Sequence, residues 1–131
     1  MKRTLAILAL LPAASHAATE PIEGRWQNPK DTVIINVASC GEATWCGEVT
    51  WASAKASADA RESGTPSLVG ARLLTGLKPD GKGGYTGRVF LPEHKIHATA
   101  NVRTAGADAI IVKGCLIAGL LCRQQRWKRV D

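Results

Sequence analysis

The four cysteines are the residues in this chain whose type and spacing most plainly point to chemistry. Cys40 and Cys46 bracket five residues, and Cys115 and Cys122 bracket six. Four thiolates can hold zinc, but paired cysteines in zinc sites stand about two to four residues apart. The wider spacings here do not fit. An even cysteine count in a small exported chain is the composition of a disulfide scaffold. Three pairings are formally open. The reading adopted is Cys40–Cys46 with Cys115–Cys122, two local loops that contain or adjoin glycine, each restricting the unfolded chain by roughly 2–3 kcal/mol. His94 and His97 could share a metal on a helix, but on a strand residues three apart fall on opposite faces. Pro92 and the alternating stretch after it favour the strand, so no metal ligands are assigned. Gly76, Gly81 and Lys82 match the opening of a phosphate loop, yet Gly83 stands where a magnesium-binding hydroxyl is required. Pro79, Asp80 and Gly81 compose a turn instead. No Ser, Thr or Cys sits in a nucleophile signature. The acids Glu20, Glu23, Glu42, Glu48, Asp59, Glu62, Glu93 and Asp108 show no pairing that sequence reveals, and a glycosidase needs two carboxylates placed in three dimensions. No catalytic residue and no cofactor is assigned, and an enzyme ranks last among the functions considered.

The elements that must carry these residues follow an export signal. Lys2 and Arg3 precede an apolar run, Leu5 to Leu11, and a small-residue stretch ending at Ala17. This is the pattern of a secretory signal peptide, with Ser15 and Ala17 at the −3 and −1 positions and cleavage expected after Ala17. The run is too short to span a bilayer, which takes about 20 residues. No cysteine follows it, which argues against a lipoprotein anchor. Residues 1–17 are therefore read as a signal peptide and 18–131 as one domain, periplasmic or secreted, monomeric and not integral to the membrane. Removing Lys2 and Arg3 lowers the formal charge of +6 by two. A mildly basic domain is drawn to lipid headgroups, envelope glycans or acidic partners. Its basic residues are scattered and its compartment is wrong for nucleic acid.

Past residue 24 the chain reads as short strands. Residues 24–27 stop at the turn cluster Asn28, Pro29, Lys30, Asp31. Residues 32–37 are rich in β-branched side chains. From 45 to 51, Trp45, Gly47, Val49 and Trp51 alternate with Cys46, Glu48 and Thr50, which predicts two opposite faces. Residues 52–66 are Ala/Ser-rich without an apolar face and are read as a surface insertion with room for a helical turn. Strands are then expected at 72–77, 85–91, around 96–103 (where Ile96, Ala98, Ala100 and Val102 alternate with polar residues), 109–116 and 122–130. About eight short strands at regular spacing predict an all-β fold, a small antiparallel barrel or strongly curled sheet.

Two segments carry more specific information: Gly24-Arg25-Trp26 near the start, and Cys122, Arg123, Gln125, Trp127 and Arg129 at the end. With Gly114-Cys115, Cys46-Gly47 and the turn at residues 77–81, they resemble the exported bacterial family numbered as domain of unknown function two-one-four-seven. The resemblance covers nearly all of residues 18–131. It implies a periplasmic or secreted β-rich domain and no established activity. Glu93, His94, Lys95, Ile96 and His97 replace the family's usual glycine and aromatic after Pro92.

Arg123, Gln125, Trp127 and Arg129 lie two apart, so one strand face carries all four. The early Gly-x-Trp with a late-strand Arg is similar to the calycin pattern of lipocalins, where Arg closes one barrel end over the Trp. On that analogy Trp26 packs near Arg129 or Arg123. Trp26, Arg123, Gln125, Trp127 and Arg129 are the candidate ligand-binding residues, and the competing reading is that they only seal the barrel. Two functions remain, the first preferred and the second its alternative. One is a non-enzymatic binding module that takes a small or lipidic ligand in the barrel mouth. The other is a module that binds an envelope protein, such as an inhibitor of a periplasmic hydrolase, with residues 52–66 or 92–95 as the contact. A lumen filled by Trp, Leu, Ile and Val favours the second, and a deep apolar cavity the first.

Overall fold

The computed structural model describes residues 21–116 and 120–131, together with Thr4 and Ala6. The expected cleavage site after Ala17 lies outside the described residues. Eight antiparallel strands close in sequence order into a barrel: β1 (Gly24–Gln27), β2 (Val33–Gly41), β3 (Thr44–Ala52), β4 (Arg72–Pro79), β5 (Tyr85–Leu91), β6 (Ile96–Thr104), β7 (Ala109–Leu116) and β8 (Leu121–Val130). The all-β barrel expected from the alternation is thus the architecture found, with one helix, α1 (Ala54–Glu62), between β3 and β4.

The up-and-down order divides the loops between two ends. The lower end holds residues 21–23, the β2–β3, β4–β5 and β6–β7 turns, and the chain terminus. The upper end holds the β1–β2 turn, α1, and the β5–β6 and β7–β8 connections. Asn28 shapes the β1–β2 turn, its side-chain oxygen accepting from the backbone N–H of Thr32 (2.8 Å) and Val33 (2.9 Å). At the lower end Asp80 organises the β4–β5 turn. Its Oδ1 accepts from the N–H groups of Lys82 (2.7 Å) and Gly84 (3.0 Å). These bonds hold its carboxyl below the ordinary range, because both favour the ionised form. The stretch that opens like a phosphate loop is therefore a strand end followed by an Asx turn.

The lumen is the core. Trp26, Ile35, Val37, Val49, Leu74, Leu77, Tyr85, Ala100, Val102, Ile110, Val112 and Trp127 are all buried, and Trp26, Leu77, Ala100 and Ile110 retain no accessible surface. The close fit shows at two glycines. A Cβ on Gly47 would lie 3.2 Å from Ile35 Cδ1 and 3.3 Å from Leu74 Cβ, and one on Gly114 would lie 3.2 Å from Val89 Cγ1.

Two local readings are corrected. Trp51 does not share a face with Val49. Ile35 pairs with Val49 and Ile34 with Trp51, so Thr50 is an extra residue in β3, and this bulge turns Trp51 outward to 43% exposure. The Ala/Ser-rich segment is not merely a surface insertion. Ser53 caps α1, its side chain accepting from Ala56 N–H at 3.1 Å, and its own N–H donates to the Thr32 carbonyl at 2.8 Å. Ala60 and, beyond the helix, Leu68 are buried in the core cluster. At the helix end, a Cβ on Gly64 would touch the Lys95 side chain at 3.3 Å, which places the segment against the β5–β6 turn as well. The segment crosses the upper end of the barrel.

Candidate functional site

The five candidate residues divide into a lower group and an upper group. Below, the Arg129 guanidinium lies over the Trp26 ring, 4.2 Å from its centroid. Its Nε–H donates to the Ala107 carbonyl at 2.8 Å, its Nη1 to the Glu23 backbone carbonyl at 3.0 Å and its Nη2 to the Pro21 carbonyl at 3.4 Å. One cation therefore ties the entering chain, the β6–β7 turn and the lumen floor together. Trp26 donates its indole N–H to the Ile22 carbonyl at 2.9 Å, and Ile22 is buried beneath it. Gly24 makes this arrangement possible: its φ is +129°, and a Cβ there would collide with Arg129 Nη1. The Gly-x-Trp and the late Arg are one piece of structure, and its work is to close the lower end.

Beside this floor, Trp45 donates its indole N–H to Glu23 Oε1 at 2.9 Å and packs edge-on to Tyr85, with ring centroids 5.6 Å apart. Burial pushes the Tyr85 phenol above its ordinary value, and the Glu23 charge adds to that.

Higher on β8, Trp127 is buried and pairs with Ile110. Its indole N–H donates to Gln125 Oε1 at 3.1 Å. Gln125 and Arg123 occupy the same strand face but are exposed. The shared face read from the two-residue spacing is present, and its lower half is sealed inside while its upper half stands open at the mouth.

The disulfides are Cys40–Cys46 and Cys115–Cys122, the two local pairings. Cys115 and Cys122 face each other in the β7–β8 ladder. Both bonds fit an oxidising compartment. His94 lies in the β5–β6 turn, and His97 stacks on Phe90 with ring centroids 4.9 Å apart. Among the described residues no helix is long and apolar enough to cross a membrane.

Two surface concavities lie outside the lumen. One, of about 380 Å³, is lined chiefly by the β4–β5 turn and by Arg103, Lys113 and Gln124 on the outer wall. The other, of about 280 Å³, lies between the β1–β2 turn and β8, beside Arg126 and Lys128.

Two features were missed in the sequence: the packing of α1 on the barrel through Ala60 and the unequal lengths of β1 and β8. The second was legible. Asn28-Pro29 ends β1 after four residues, whereas the last strand runs for ten, so the two cannot pair along their full length.

A filled eight-stranded barrel, closed below by an Arg over a Gly-x-Trp tryptophan, is a lipocalin-like fold. Among solved structures it is similar to protein HP1028 from the human pathogen Helicobacter pylori, described as belonging to the lipocalin family. The TM-score is 0.64 at 13% identity, covering 85% of this chain and 84% of that one. No curated protein matches the chain. Residues 24–129 match the family model described as "Uncharacterized protein conserved in bacteria (DUF2147)", and the chain belongs to that family.

Proposed function

We propose that this chain is an exported, non-enzymatic binding module of the cell envelope whose partner is a protein met on the outside of the barrel, as a hydrolase inhibitor meets its target. The observation that carries this reading is the filled lumen. Side chains occupy it at the level of Gly47 and Gly114, Arg129 and Ile22 close its floor, and α1 crosses its upper end. A small-molecule carrier needs a cavity of about 300 Å³ or more to cover its ligand. Export is supported by the signal pattern of residues 1–17 and by the two disulfides.

A second reading, a small or lipidic ligand held at the mouth, draws on the likeness to a lipocalin barrel and on the exposed Arg123 and Gln125. Native mass spectrometry of protein purified from the periplasm separates the two. The expected species is the chain from residue 18 with both disulfides formed and no added mass. A co-purifying lipid would contradict the protein-binding reading.

A further inference from the structure

β1 and β8 close the barrel over three residue pairs only, Arg25 with Val130, Trp26 with Arg129 and Gln27 with Lys128. The turn at Asn28 then carries the chain away into β2. Above that point residues 123–127 of β8 pair with β7 on one side, and among the described residues no strand pairs with them on the other. The direction of the ladder identifies which groups are left over. The Arg129 N–H donates to the Asp108 carbonyl, on the β7 side, at 2.7 Å. The β7–β8 register runs without a shift, so alternation turns the N–H and C=O of Lys128, Arg126 and Gln124 the other way. Lys128 meets Gln27 there; among the described residues no strand meets Arg126 or Gln124.

We infer that this edge, residues 123–127 of β8, is a docking site for an extended acidic segment of a partner protein, added as a further strand. The inference rests on the protein-binding reading and names its surface. An open edge is a template for strand addition. Its charge selects the occupant. Arg123 and Arg126 are exposed on opposite faces of the strand, and Lys128 follows, paired at 3.0 Å with an exposed Asp31. A second copy laid antiparallel and centred on Gln125 would set two strands of the same positive charge side by side, with Arg126 of each copy diagonal to the other and like charge within reach of like. An acidic strand would meet opposite charge on both faces. The concavity beside Arg126 and Lys128 leaves room along the edge where β1 departs. At the far end Leu120 and Leu121 stand 80% and 60% exposed, an apolar anchor for the segment's end.

The test is a titration of isotope-labelled protein, disulfides intact, followed by amide resonances. The probe is a synthetic peptide alternating glutamate with valine and ending in leucine, set against the same peptide with lysine for glutamate. The acidic peptide should shift the Gln124 and Arg126 amides and slow their exchange, while the basic one should not. Arg126→Pro removes an N–H that faces the open side and leaves the β7 ladder intact; it should weaken binding about tenfold with an unchanged circular dichroism spectrum. Arg123→Glu with Arg126→Glu should reverse the preference toward the basic peptide. Equal binding of both peptides, no shift at about 1 mM peptide, the weak limit of specific association, or self-association through this edge would overturn the inference. Shifts on another outer surface would refute the edge and leave the protein-binding reading standing. Shifts confined to lumen residues such as Val89 and Val112 would refute both.

Discussion

Arg129 and Trp26 lie 103 positions apart in the chain, and the energetics of the lower end concentrate on their contact. A guanidinium over an indole is worth roughly 0.5–2 kcal/mol, and a hydrogen bond to a charged group roughly 1.5–3 kcal/mol. These terms overlap, because a truncated side chain admits water to the freed carbonyls. Arg129→Met should therefore lower stability by about 2–3 kcal/mol in urea unfolding, while Arg123→Met, at an exposed position on the same face, should be near neutral. Equal effects would mean that the shared face acts as one unit. Asp80 gives a pH signature of opposite origin. Its folded carboxyl is held below the unfolded value by the N–H groups of Lys82 and Gly84. Its contribution is thus complete above the unfolded value and is lost as pH falls through the lower folded one. In an acid titration, the Lys82 and Gly84 amide resonances should keep their neutral-pH positions until below the usual aspartate range. Movement at the ordinary aspartate value would show that the turn is not built on this carboxylate.

Among the elements, α1 behaves least as its composition indicates. Its alanines and serines show no amphipathic pattern, yet Ala60 is buried while Ala54 is exposed. The small side chain is what lets the helix lie close to the barrel end. Ala60→Asp would bury a carboxylate without a partner and should destabilise by at least about 2 kcal/mol in chemical unfolding. Ala54→Asp, in the first turn, should be neutral or slightly stabilising. If both were neutral, α1 would be a surface ornament and not packed on the barrel. Sequence patterning located the strands themselves well: β6 shows the alternation of Ile96, Ala98, Ala100 and Val102 with polar residues, and β1 and β5 keep their expected bounds. It failed at Trp51, because a bulge shifts the period by one residue and leaves no mark in composition. It failed at α1 because burial of one alanine depends on what the helix lies against. Of the candidate site, the β8 face and the Trp26–Arg129 partnership were legible from two-residue spacing and a resemblance. The open edge above Lys128 depends on where β1 turns away, a fact of pairing and not of residue type.

For the whole molecule, the decisive property is that a barrel of this size is packed through its middle and closed at its lower end. Two short disulfide loops, one at the lower β2–β3 hairpin and one at the upper β7–β8 hairpin, restrain those hairpins from opening. A barrel so filled offers a partner its outer wall, its turns and its edge. The lumen tryptophans report on this directly. Trp26 is fully buried and Trp127 nearly so, while Trp51 stands outside and Trp45 lies beside the floor. Titration of residues 18–131 with a brominated fatty acid, followed by tryptophan emission and repeated with Trp45→Phe and Trp51→Phe together to remove the signals from outside the lumen, tests whether the barrel is filled. No saturable quenching is expected at equimolar ligand in either form. Saturable one-to-one quenching that survives removal of both Trp45 and Trp51 would place an acyl chain beside Trp26 or Trp127 and contradict it.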